Sequence, residues 1–245
     1  MKYKYTFMME VNKMPEYNAK RRKFFKTSAA LSSVCFVPLS ALAHENDGTT
    51  GEYQPQFFNA DEWEFIKAIT DQLIPEDELG GGAIVAGVPE FLDRQMQTEY
   101  GRGELFYMSG PYHYDVPATL GYQEQFPPNE LYRQSITQIN QYLNAQYQKK
   151  FHELDEATQL DVMKLMEAGK IPLEGISSSA TFFALLWRNT EEGFLSDPQY
   201  GGNKNMIGWK LVGFPGARAD FMDYAGRSGK PYPYSPVDIA GRRGK

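Results

Sequence analysis

Apolar residues recur at helical spacing in five stretches between residues 59 and 190. The first opens on Asn59-Ala-Asp-Glu62, a capping pattern in which Asn59 accepts from a free backbone N–H and Glu62 reaches back. Trp63, Ile66, Ile69 and Leu73 then repeat at three and four residues until Pro75 ends the run. The pattern predicts a second helix over 86–98, with Val88, Phe91, Leu92 and Met96 on one face and Pro89 in the first turn. A third and longest helix is predicted over 129–150, striped by Leu131, Ile136, Ile139, Leu143 and Tyr147. Asp155 caps a fourth, with Leu160, Met163, Leu165 and Met166, ended by Gly169. Ser177–Ser179 cap a fifth, apolar nearly all round through Phe182, Phe183, Leu185, Leu186 and Trp187. A helix of that kind is buried centrally or lies under another protein. No segment alternates like a strand, so the pattern predicts an all-α fold.

Between these helices the chain is rich in glycine and aromatics. Pro75–Gly82 is an acidic, glycine-rich turn. Glu76, Asp77 and Glu78 there match no EF-hand spacing and read as solvated carboxylates. Residues 100–128 form an irregular loop carrying Phe106, Tyr107, Tyr112, Tyr114, Tyr122 and Phe126, of the kind that faces a partner. The fifth helix is predicted to end near Arg188, and a loop then runs to Gly216. Gly193, Gly201, Gly202, Gly208, Gly213 and Gly216 interrupt it, with Phe194, Tyr200, Trp209 and Phe214 between them. Structureless loops this long are uncommon in compact domains, and disordered segments are poor in aromatics. That leaves an ordered loop over a core, or a surface for another protein. Residues 226–245, rich in Pro, Tyr and Gly, read as an extended C-terminal arm.

The run Thr190-x-x-Gly193-Phe194-x-x-Asp197-Pro198-x-Tyr200-Gly201-Gly202-Asn203, followed by Gly208-Trp209-Lys210 and Gly213-Phe214-Pro215-Gly216, resembles the gluconate 2-dehydrogenase subunit 3 family. The resemblance spans roughly 57–240 and is sharp in 190–216. It implies a small, non-catalytic subunit of a membrane-associated, flavin-dependent sugar or sugar-acid dehydrogenase. It implies no cofactor on this chain, FAD on a large partner subunit, and a cytochrome c or another carrier as electron acceptor. Gly193, Phe194, Asp197, Tyr200, Gly201, Asn203, Trp209 and Phe214 are the candidate partner contacts.

The N-terminal region changes the picture of where such a protein works. Lys20-Arg21-Arg22-Lys23-Phe24-Phe25-Lys26 resembles a twin-arginine export signal, with Arg21 and Arg22 as the pair. A modestly apolar run follows, and Ala41-Leu42-Ala43 gives the small-x-small pattern of a leader-peptidase site. Cleavage after Ala43 would make His44 the first mature residue. The run is too short for the ~20 helical residues that span a bilayer. The expected organisation is a leader over 1–43, a flexible lead-in over 44–56 and a single helical domain over 57–245, in the periplasm. The leader holds eight of the 25 Lys/Arg and two of the 31 Asp/Glu, so the mature chain carries a net charge near −12. That charge disfavours nucleic acid and anionic lipid as partners. The single cysteine, Cys35, lies in the leader, which excludes an internal disulfide and thiolate metal sites from the mature chain.

Candidate chemistry is sparse. His44, His113 and His152 are the three histidines, and no two sit at ligand spacing on one element. Asp115 could orient His113, but no nucleophile is placed beside them. Asp197 before Pro198, and Asn203 after Gly202, read as turn residues bonding their own backbone. Trp209 reads equally as an interface anchor and as a core aromatic whose indole N–H meets a loop carbonyl. Two other functions stay open: an enzyme with 190–216 as a lid, and a sugar-binding module using Trp and Tyr as platforms.

Overall fold

The computed structural model describes residues 53–244 apart from Asp115, Ser228 and Pro231. The twin-arginine pair, the cleavage point after Ala43 and His44 lie outside the described residues. Among the described residues six α-helices follow in order: α1 Ala60–Leu73, α2 Val88–Gln95, α3 Pro128–Tyr147, α4 Glu156–Glu167, α5 Ser179–Leu195 and α6 Ile207–Val212. Extended structure among the described residues is limited to isolated bridges, and the fold is all-α.

Local signals set most helix starts. Asn59 and Glu62 form the expected reciprocal cap, with N–H to oxygen distances of 3.0 and 2.9 Å. Asp155 accepts from the Thr158 N–H at 3.0 Å and Ser178 from the Ala180 N–H at 3.1 Å. Two ends differ from the sequence reading. α2 is shorter than 86–98, because Gly87 sits in a left-handed conformation before Val88 and the chain turns after Gln95. α5 is longer, running to Leu195 through Gly193. A Cβ on Gly193 would stand 2.7 Å from the Phe91 ring, so the missing side chain lets α2 lie against α5 without breaking the helix.

α4 packs on α5, α2 crosses α5, and α1 lies on the turn at Phe151–Glu153. Phe65, Ile66 and Ile69, Leu131, Ile136, Ile139 and Leu143, and Phe182 and Leu186 are buried between them. Tyr132 is wholly buried, its ring edge-on to Phe182 at 5.4 Å. Its hydroxyl accepts from Asn189 Nδ2 at 3.0 Å, and Asn189 Oδ1 accepts from the Tyr100 hydroxyl at 2.9 Å. This three-residue chain spans α3, α5 and the aromatic loop, so burial of a polar tip costs little. Three of the apolar residues expected on these helices face outward, Trp187 on α5 among them. Leu160 is exposed, and Val162 takes the core position on α4 instead. Tyr147 is the last residue of α3, where the chain leaves through left-handed Gln148, and it too is exposed.

The first described residues are fixed by one buried carboxylate. Asp93 on α2 accepts from the Tyr53 hydroxyl and from the backbone N–H groups of Gln56, Phe57 and Phe58, at 2.8–3.0 Å. The arm expected at the other end is tied down as well. Residues 215–217 pair with Val237, whose carbonyl accepts from the Ala217 N–H at 2.7 Å and whose N–H donates to Pro215.

Candidate interaction site

The stretch 190–216 is not a structureless loop. Its first six residues are helix, turns occupy Pro198–Tyr200 and Lys204–Met206, and α6 takes 207–212. Close backbone approach explains Gly202 and Gly208. A Cβ on Gly202 would lie 2.2 Å from the Gly193 carbonyl oxygen, and one on Gly208 would lie 2.1 Å from that of Phe194. The end of α5 thus forms a floor on which the next two backbone segments rest directly.

Asn203 joins those segments. Its side chain is fully buried; Nδ2 donates to the Ser196 carbonyl and Oδ1 accepts from the Gly208 N–H, each at 2.8 Å. Asn203, Asn205 and Met206 all have left-handed backbones, with φ of 45°, 56° and 59°. Such conformations cost of order 1–3 kcal/mol each and persist only where surrounding contacts impose them. The contacts here include the Lys204 N–H to the Ala86 carbonyl at 2.9 Å and the Lys204 ammonium to Glu90 at 2.5 Å. Glu90, nearly buried, also pairs with Arg94.

Trp209 is a core aromatic. It is 5% exposed, and its indole N–H donates to the Leu195 carbonyl at 2.7 Å. Phe214 packs edge-on against it at 5.2 Å yet stays 46% exposed. Asp197 holds its own turn through the Gln199 N–H at 3.1 Å, as expected. It also holds the tail, accepting from the Ile239 N–H at 2.8 Å. The eight candidate contacts therefore divide. Gly193, Phe194, Asp197, Gly201, Asn203 and Trp209 are buried within this chain and shape the stretch; Tyr200 and Phe214 face outward. Leu195, Leu211 and Val212 are exposed beside them.

A second surface lies along α5, beside the aromatic loop 100–128 that the sequence reading described as partner-facing. The Phe106 and Tyr122 rings stack at 4.8 Å in the aromatic loop. Between that loop and α5 is a cavity of about 610 Å³, bordered by Tyr100, His113, Glu124, Thr181, Arg188 and Glu192. Glu124 accepts from the Ser177 hydroxyl and N–H and is nearly buried. His113 is exposed on the rim, and its expected partner Asp115 lies outside the described residues. Burial pushes the Glu192 carboxyl above its usual range, with Arg188 opposing. The signal for this surface was present: Thr181, Ala184, Arg188, Glu192 and Leu195 recur at three and four residues. It is visible only once α5 is known to reach Leu195. Among the described residues no group of three or more His, Cys, Asp or Glu is placed to hold a metal, and no helix is long and apolar enough to cross a membrane.

An all-helical domain, its glycine-rich stretch locked by α5 and the tail, is thus the class this chain defines. It belongs to the gluconate 2-dehydrogenase subunit 3 family, which matches residues 60–216 and so ends at the last glycine of the stretch. No curated protein and no solved structure is significantly similar to the chain.

Proposed function

We propose that this chain is the non-catalytic accessory subunit of a flavin-dependent sugar, polyol or sugar-acid dehydrogenase of the periplasm. The observation that carries this reading is family membership over residues 60–216. On this reading the large subunit holds FAD and oxidises the substrate, and a cytochrome c or another carrier takes the electrons. This chain binds the large subunit, helps it fold, and lends the Arg21-Arg22 leader for joint export, with cleavage after Ala43. The twin-arginine route carries folded proteins, which suits a partner that acquires its flavin before export.

Exposed apolar side chains support a binding role. Leu211, Val212 and Phe214 stand together at the end of α6, each between 46% and 61% exposed. Contiguous apolar patches on soluble proteins mark interaction sites. A permanent interface of roughly 2,000 Å² or more is expected. The test is co-expression with the flavoprotein encoded beside this chain, followed by purification through a tag on this chain. A stoichiometric, flavin-yellow complex is the expected result. Export of an active flavoprotein in cells lacking this chain would overturn the proposal. Changing Arg21 and Arg22 to Lys tests the carrier role: the flavoprotein should then stay in the cytoplasm.

A further inference from the structure

The outward face of α5 is an unfilled groove. Thr181, Ala184, Arg188, Glu192 and Leu195 lie on one stripe of the helix, since residues three and four apart are surface neighbours. The stripe runs about 21 Å at 1.5 Å per residue. Three cavities follow it, of about 610, 560 and 490 Å³. They share borders: Tyr100 lies on the first two, Arg188 on the first and third, and Glu192 on all three. They therefore adjoin along the helix as one trough open to solvent, longer than one small metabolite needs.

Its walls combine apolar surface with uncompensated negative charge. Leu105, Leu195 and Tyr200 are 63%, 43% and 51% exposed along it, and Tyr114 adds a ring at the far end. Glu99, Glu191 and Glu192 border it, and none of them appears in an ion pair within 4.0 Å among the described residues. Arg94 on the opposite wall is engaged by Glu90. Arg188 is the cation nearest Glu192 on the helix, and it leaves the groove net acidic. An occupant that brings a cation to the middle and apolar side chains to both ends matches this lining.

We propose that the groove receives one extended segment of the flavoprotein subunit, with a lysine or arginine paired to Glu192 and apolar side chains seated against Tyr100 and Tyr200. This deepens the accessory-subunit reading and rests on it. Ala184 is exposed on the groove floor, so a larger side chain there fills the trough without entering the core.

The test uses the tagged mature chain and its flavoprotein, with binding measured by titration. Ala184→Trp and Glu192→Lys are each expected to weaken the complex roughly tenfold or more, as the loss of a close charge pair or a filled pocket does. Glu167→Lys, on the exposed end of α4, is expected to bind as wild type. Circular dichroism and thermal unfolding should be unchanged in all three. A photo-crosslinking residue at position 184 should label a flavoprotein peptide containing Lys or Arg. Wild-type affinity in both groove variants, with binding abolished by Phe214→Asp, overturns the groove and leaves the accessory reading intact. No complex with the unaltered chain overturns both. Should Ala184→Trp misfold, Glu192→Lys and the crosslink decide.

Discussion

Asn203 shows how one side chain can stand in for backbone pairing. Its amide closes the Ser196 carbonyl, just past the end of α5, and the Gly208 N–H of α6. Asn203→Ala leaves the Gly208 N–H buried and unpaired and the Ser196 carbonyl without this donor, and it keeps a left-handed φ without the amide that tolerates it. A loss of about 2–4 kcal/mol is expected, read as a lower urea midpoint at unchanged slope. The buried phenols make a second expectation at this scale. Burial raises the hydroxyls of Tyr100, Tyr122 and Tyr132; burial and then the hydrogen bond to Asp93 raise that of Tyr53. Between about pH 10 and each folded value, the folded chain keeps a proton that the unfolded chain has lost. Stability is therefore whole below about pH 10 and falls as pH climbs beyond it. Ultraviolet titration should show exposed tyrosines ionising reversibly first, and these four only with the loss of helical signal. Their smooth ionisation in a still-folded chain would contradict the burial.

At the scale of elements, the glycines after α5 act by absence. Gly202→Ala and Gly208→Ala each drive a methyl into a carbonyl oxygen of the helix floor. Each is expected to cost about 1–3 kcal/mol or more and to lift α6 off α5. Trp209 fluorescence reports this directly, because its indole leaves the Leu195 carbonyl and shifts to the red. Helix content and most caps were legible in the sequence: Asn59, Asp155 and Ser178 act on nearby backbone, and three- and four-residue spacing survives any packing. The reach of α5 was not legible. Gly193 reads as a breaker in one dimension, and only the ring of Phe91, about a hundred residues earlier, gives it a reason to be helical. The same reading left Trp209 equally an interface anchor or a core aromatic and placed Phe194 beside it as a candidate contact, and both are buried within this chain. An aromatic in an assumed loop looks exposed, whereas on a helix end it covers the next turn. Tyr200 and Phe214 were the two outward-facing candidates among them, and nothing in their spacing separates them from the buried ones.

Across the described residues, the glycine-rich stretch and the tail are coupled through Asp197, although the family match stops at Gly216. Asp238, almost fully buried, closes the tail on itself by accepting from the Arg242 N–H at 2.7 Å and its Nε at 2.6 Å. Asp197→Ala is expected to raise hydrogen exchange at the Ile239 amide at least roughly tenfold, while the amides of α1 and α3 keep their protection, since local opening need not involve the core. Equal exchange in both proteins would mean that the bridge at Val237 alone secures the tail. The anchoring at the opposite terminus has a different consequence. Asp93 grips the chain from Tyr53 onward, so on the proposed cleavage after Ala43 nine residues, 44–52, would separate the new N-terminus from that grip. Fully stretched, these reach no more than about 32 Å. On the proposed cleavage after Ala43, a peptidase at a lipid face would have to cut within that distance of the finished globule, and shortening 44–52 by half should slow maturation before it disturbs assembly.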